Sequence, residues 1–288
     1  MKNKNSRTAS AVLIFLLSVG DSRCEDRPHQ KSASPAQGSG TLVFTEDFEG
    51  ANPGIYTEDQ LDNHWNNPLW SDGVQERRVS IVETEPGNMA LAVAFPAHTF
   101  GPAKNGAQWK LDFDAPLQSV EVRYDIKFED GFAFSKGGKL PGLFGGKGNS
   151  GGGIPTGRDG FSARMMWRED GRIVQYLYYP DQPERYGHQI PWVQATNGKP
   201  IQLTAGKWHT VVQKLSINTP GKKDGRLRAF FDGKSVLEIN NLRLRDTDTF
   251  AIDGLFFCTF FGGGDASWAT KADETIYFDN FQISAIVL

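Results

Sequence analysis

The sequence predicts an all-β chain folded as a two-sheet β-sandwich. From Thr41 onward, short apolar or alternating runs are broken by Gly, Asn, Asp and Pro, and no long stretch keeps a helical period. About ten such runs are present, a number that suits two packed sheets.

Ahead of them, Met1 to Gly20 carries Lys2, Lys4 and Arg7 before the apolar run Ala11 to Leu17. That run is too short to cross a bilayer and has the order of a secretory signal peptide, with small residues near Ser18 to Gly20 for cleavage. Residues 1–20 are therefore expected to be a signal peptide. Residues 21–40, rich in Pro, Ser, Gln and Gly, are expected to be a flexible tether, and 41–288 one domain of a secreted protein without a membrane span. Lipidation at Cys24 is disfavoured by the Asp21-Ser22-Arg23 that precedes it.

The expected strands, in order, are Leu42 to Phe48, Arg78 to Val82, Ala90 to Phe95, Ser119 to Phe128, Gly160 to Trp167, Ile173 to Tyr179, His209 to Asn218, Arg226 to Phe231, Leu255 to Phe261 and Thr275 to Ile283. Glycine concentrates at Gly137-Gly138, Gly142 to Gly153 and Gly262 to Gly264, which are expected to be loops flanking a cleft. The run Gly145 to Gly153 lacks the Gly-Lys-Ser/Thr ending of a phosphate loop, so no nucleotide site is expected. At the two ends, Phe44 to Glu49 and Tyr277 to Ile283 resemble the adjacent first and last strands of a lectin-like jelly roll. Asp47 and Asp279 there suggest a structural calcium by analogy, but two lone acids are more simply solvated.

The formal net charge of -3 gives no sign of nucleic-acid binding, and a groove for a polyanion has to be sought in local clusters. Cys258 sits in an apolar strand and Cys24 in the tether, so no disulfide framework is expected. The five histidines show no ligand spacing, and neither a metal nor a cofactor is expected.

The candidate chemistry lies between Ser135 and His188. On the strand from Gly160 to Trp167, Ser162, Arg164 and Met166 share one face; on the next, Tyr176 and Tyr178 share one. Asp170-Gly171 between them is a hairpin signal, so Ser162, Arg164, Tyr176 and Tyr178 are expected to meet as cross-strand neighbours. A guanidinium that neutralises a uronate carboxylate makes the proton on carbon five removable, and a base and an acid complete β-elimination. The same tyrosines would equally suit plain packing with their hydroxyls at the rim.

The order Lys136-Gly137-Gly138-Lys139-Leu140-Pro141-Gly142-Leu143, then Ser162-Ala163-Arg164, then Tyr176-Leu177-Tyr178 resembles polysaccharide lyase family fourteen, jelly-roll alginate and related uronan lyases. The resemblance implies that Lys139 is essential, that Ser162 and Arg164 bind or neutralise the uronate, and that Tyr176 and Tyr178 are acid/base candidates. It leaves open which tyrosine is the base, or whether Lys139 is. Lys136, Arg185, His188, Gln213, Lys214 and Trp268 are expected to extend substrate binding, with Tyr179, Tyr186 and Asp265 nearby. The expected partner is an anionic polysaccharide, alginate before a glucuronan-type polymer, bound by a monomer. A non-catalytic carbohydrate-binding sandwich is the rival outside enzymes. A glycoside hydrolase is a weaker one, because Asp112/Asp114 and Glu169/Asp170 read as turn residues rather than a strand-borne acid pair.

Overall fold

A computed structural model describes residues 40–287. The expected signal peptide, Cys24 and all but the last residue of the tether lie outside the described residues.

Sixteen strands and one short helix follow in chain order: β1 (Thr41–Glu46), β2 (Gly54–Ile55), α1 (Glu58–Trp65), β3 (Ser71–Asp72), β4 (Val79–Glu85), β5 (Asn88–Phe95), β6 (Ala107–Leu117), β7 (Ser119–Phe128), β8 (Gly137–Gly146), β9 (Gly160–Arg168), β10 (Ile173–Tyr178), β11 (His188–Pro191), β12 (Trp208–Ser216), β13 (Gly225–Phe231), β14 (Lys234–Leu242), β15 (Ile252–Thr259) and β16 (Glu274–Ala285). They form two antiparallel sheets. One runs β14-β13-β12-β7-β16-β5-β4-β2, with β1 also paired to β16; the other runs β11-β10-β9-β8-β15-β6-β3. The first and last long strands pair as the sequence suggested, Glu46 opposite Phe281.

Strict alternation fills the space between the sheets. β7 sends Val120, Val122, Tyr124, Ile126 and Phe128 inward, and β9 sends Phe161, Ala163, Met165 and Trp167, all fully buried. Trp109 stacks on Phe257 at 4.1 Å between ring centroids, and Trp65 meets both edge-on or tilted. Trp65 comes from α1, which is started by a capping box between Thr57 and Gln60 and stopped by Asn66 in the left-handed conformation.

Several elements depart from the sequence reading. Gly137 to Gly146 is a strand, not a loop. A Cβ at Gly138 would fall 2.1 Å from the Trp167 ring, and one at Gly145 would fall 2.0 Å from the Ala251 carbonyl oxygen, so these glycines are there for close packing. β6, β11 and β14 were not anticipated. Asp112 and Asp114 therefore sit on β6 rather than at a turn. Glu169 and Asp170 do form a turn, a single 3-10 turn. Glycines 148 to 153 and 262 to 264 are loops, as expected.

Candidate active site

The β9–β10 hairpin turns at Asp170 and Gly171, which have φ of 59° and 73°, the left-handed geometry that Asp-Gly tolerates. Its register sets Arg164 opposite Tyr176 and Ser162 opposite Tyr178, while on the other side of β9 Lys139 of β8 lies opposite Met166. Opposed residues of an antiparallel pair point to the same side. Lys139, Ser162, Arg164, Tyr176 and Tyr178 therefore gather on the face of the seven-stranded sheet turned away from the core.

Four of the five are nonetheless buried, Arg164 at 2% and Tyr178 at 1% exposure, because loops lie over them. The Ser162 hydroxyl donates to the Asn149 carbonyl at 2.7 Å, and the Gly152 amide donates to the Tyr178 hydroxyl oxygen at 3.1 Å. Gly187 closes against both rings so tightly that a Cβ there would come within 2.8 Å of Tyr178 and 2.9 Å of Tyr176. The two tyrosine hydroxyls stand 3.4 Å apart. Gln182 ties the covering loops together, donating to the carbonyls of Gly153 and Glu184.

The cations are the distinctive feature. Arg164 lies 4.8 Å from the Phe256 ring centroid and about 6 Å from each tyrosine ring, with Nη1 3.6 Å from the Cys258 sulfur and a buried Nε that has no hydrogen-bond partner. The Lys139 ammonium sits 4.5 Å from the Tyr176 ring centroid and 3.2 Å from the Met166 sulfur. Among the described residues neither forms an ion pair with a carboxylate. Burial, and then the Arg164 guanidinium, push the Lys139 ammonium down to about 7. Burial and the hydrogen bond with Tyr178 raise Tyr176, whose phenol stays protonated at neutral pH.

Three of the outlying candidates are at the rim of this cluster. The exposed Lys136 donates to the Ser267 hydroxyl at 2.7 Å; Trp268 packs against the cluster that Met166 and Val174 form with the two tyrosines, with Arg168 5.2 Å above its ring; Arg185 is exposed beside Gly152.

Three others are not in the cleft. Gln213 points into the core, where its amide joins the two sheets. Lys214 lies on the outside of the other sheet, paired with Glu121. His188 is opposite Leu177, so it shares that inward side and accepts or donates at the Tyr179 hydroxyl, 3.0 Å away. In each case register with the neighbouring strands decides the direction. Asp47 is exposed, whereas Asp279 is buried and faces Asp125; among the described residues no group of three or more His, Cys, Asp or Glu is placed to hold a metal. Phe256, Cys258, Gly152 and Gly187 are not among the sequence candidates, and Met166, placed by alternation on the Arg164 face, had no role there.

The family model described as polysaccharide lyase 14 matches residues 83–281, a span that includes the whole cluster. The chain belongs to polysaccharide lyase family 14. This lyase superposes on the alginate lyase Aly36B with 27% identity and a TM-score of 0.73, over 85% of this chain and 97% of the other. With a PL-14 alginate lyase from Aplysia kurodai the identity is 28% and the TM-score 0.70, over 84% and 98%. An endo-β-1,4-glucuronan lyase from the fungus Trichoderma reesei, at 14% identity and TM-score 0.51 over 85% and 96%, shares the fold alone. No curated protein matches by sequence. Family membership also answers the hydrolase rival, although Asp112 and Asp114 do lie two apart on a strand.

Proposed function

We propose that this polysaccharide lyase is secreted and cleaves a uronic-acid polymer, alginate first and glucuronan-type polymers second, by β-elimination without a metal. The observation that carries the substrate class is the Arg164 guanidinium, buried, unpaired by any described carboxylate and with Nε unsatisfied, beside a second cation at Lys139. A buried charge without a counterion is costly, and a uronate carboxylate supplies the missing anion. The alginate lyases among the similar structures favour alginate, and the positive-then-apolar order of residues 1–20 favours secretion.

The geometry supports the following steps. Arg164 neutralises the carboxylate, with Ser162 holding the covering loop beside it, so that charge developing at carbon five spreads into the carboxyl group. Lys139, with its ammonium lowered to about 7, is in part neutral at physiological pH and takes the carbon-five proton. The electron pair of the broken C–H bond forms the C4–C5 double bond as the C4–O bond breaks. Tyr178 gives its proton to the departing bridging oxygen. The Gly152 amide stabilises the phenolate that remains, and Tyr176 is close enough to return a proton. The cations supply the charge neutralisation that a metal would otherwise provide.

The test is absorbance of the unsaturated uronate product across alginate, its two homopolymer blocks, glucuronan and a neutral glucan. A rise on at least one uronan and none on the glucan is expected. Folded protein that produces no rise on any uronan refutes the reading.

A further inference from the structure

The same sheet face continues well beyond the tyrosines, and its register draws a line. Tyr176 is opposite Arg164, and a Cβ on Gly142 would lie 2.6 Å from the Arg164 Cα, so Gly142 is the next step on β8. Gly142 is opposite Phe256, and Phe256 is opposite Lys110. Ser71 is opposite Trp109, which brings Trp70 level with Lys110 at the edge. Tyr176, Arg164, Gly142, Phe256, Lys110 and Trp70 thus form one row running across the strands on the outer face. Gly142 leaves a dip in it, since it has no side chain.

The far half of the row is built as the near half is. The Lys110 ammonium stands over two rings, 4.7 Å from the Phe144 centroid and 5.4 Å from that of Phe256, and donates to the Lys147 carbonyl at 2.7 Å. It shares the Phe256 ring with Arg164 and makes no ion pair among the described residues; Asp112, two residues along the same strand, acts on it only through space. Trp70 is 41% exposed and meets Phe256 edge-on at 6.1 Å, which leaves an apolar ring face open to solvent. Two cations on one aromatic floor repel each other unless an anion lies between or above them. A polyuronate places a carboxylate on every sugar, and its sugar rings offer apolar faces to an exposed indole.

We propose that Phe256, Lys110 and Trp70 form a binding platform for the uronate units next to the cleaved bond, on the side away from the tyrosines. Lys110 holds a carboxylate and Trp70 stacks on the following sugar ring. The platform rests on the uronan reading above and adds to it the direction of the bound chain, across the strands from Trp268 toward Trp70.

Two measurements test it separately from the lyase reading. The first is turnover by wild type, Lys110→Met and Trp70→Ala on alginate and on short oligouronates. KM on polymer should rise about tenfold for Lys110→Met, the loss of one charge-assisted contact, with a smaller effect on kcat. The increase should shrink on the shortest oligomers that are cleaved, and Lys110→Arg should restore most of it. The second measurement is retardation in gels containing alginate or the same polymer with its carboxyls reduced. Wild type should be retarded only by the charged polymer, and Lys110→Met much less. Unchanged KM and unchanged retardation in both variants, with wild type active, overturn the platform and leave the lyase standing. Lys110-dependent retardation without cleavage of any uronan would do the reverse. If alginate neither retards nor is cleaved by wild type, both fall.

Discussion

Gln213 was expected at the substrate and is instead behind it, and its replacement by Leu should loosen the site from the core side. Between Leu140 and Leu143 the pairing of β8 with β9 shifts register, leaving a gap in the ladder at Pro141-Gly142. The Gln213 side chain fills the gap from β12 of the other sheet: its carbonyl accepts from the Leu143 amide at 3.3 Å, and its NH2 donates to the Ala163 carbonyl at 2.8 Å and to the Gln175 side-chain oxygen at 3.1 Å. Gln175 in turn donates to the Arg164 carbonyl at 2.7 Å. One amide therefore holds β8, β9 and β10, the strands that carry Lys139, Arg164 and the tyrosines. Leu is of similar volume, so the change strands polar groups rather than opening a cavity. Each buried partner left unsatisfied costs about 1–3 kcal/mol, and with some relaxation the total is about 3–5 kcal/mol. For a domain of this size that lowers Tm by about 6–20 °C in a thermal melt followed by circular dichroism. At a temperature where the variant is still folded, kcat/KM should fall about tenfold or more, because small displacements of reacting groups are expensive. A melting point within about 2 °C of wild type, together with normal turnover, would refute the role given to this amide.

Lys139→Arg should lower kcat by about a hundredfold or more, since an arginine in the same place stays protonated and cannot accept the proton. In wild type, kcat/KM should climb as pH rises through about 7 and level off above it, as Lys139 loses its proton; an enzyme most active at pH 5 would contradict its assignment as base. Tyr178→Phe should lower kcat by about a hundredfold with little change in far-ultraviolet dichroism, and near-normal turnover would remove it from the acid role. Burial, reinforced by Asp125 across the strand, lifts the Asp279 carboxyl to about 7. The unfolded carboxyl titrates near 4, so the native state holds a proton that the unfolded chain releases between those values, and stability should fall as pH rises through that window. Asp279→Asn should therefore stabilise by about 1–3 kcal/mol at pH 8 and by almost nothing at pH 4, as read from urea unfolding at the two pH values.

The parts of this site that were legible in the sequence are those governed by alternation. Period two put Ser162 with Arg164 and Tyr176 with Tyr178, and Asp170-Gly171 joined the two strands, so the cross-strand patch followed from local pattern alone. β8 was not legible in the same way. Its five glycines read as a loop, and atoms packed against them, such as the Trp167 ring and the Ala251 carbonyl, explain why a strand carries so few side chains. Without β8 as a strand, the link from Lys139 to Met166 had to come from the resemblance. Helix α1 was missed although Thr57 and Gln60 spell a capping box, because eight residues with two buried apolar positions give little period to detect. The errors at His188, Gln213 and Lys214 have one source: a residue's side of the sheet depends on register, and register at β11 and β12 is set by distant partners.

The arrangement of charge, more than any single residue, ties this fold to its reaction. A sandwich normally keeps cations at its rim, yet here Arg164 is enclosed by rings, a thiol and a second cation, and Cys258 beside it is itself held neutral by burial. Folding into this state forgoes an ion pair that almost any nearby Asp or Glu would have supplied, and the chain has 34 of them. An internal carboxylate at Arg164 would settle the guanidinium but occupy the place that the proposed reaction gives to the uronate. The unpaired cations therefore bind the anion better than a balanced site would, and burial first, with repulsion from Arg164 added to it, lowers Lys139 into the range of a base. When the uronate arrives it answers Arg164, and in doing so it favours the ammonium form of Lys139. In the proposed reaction the neutral amine of Lys139 thereby becomes a stronger base while its share of the bound enzyme falls, so binding and deprotonation draw on the same charge deficit.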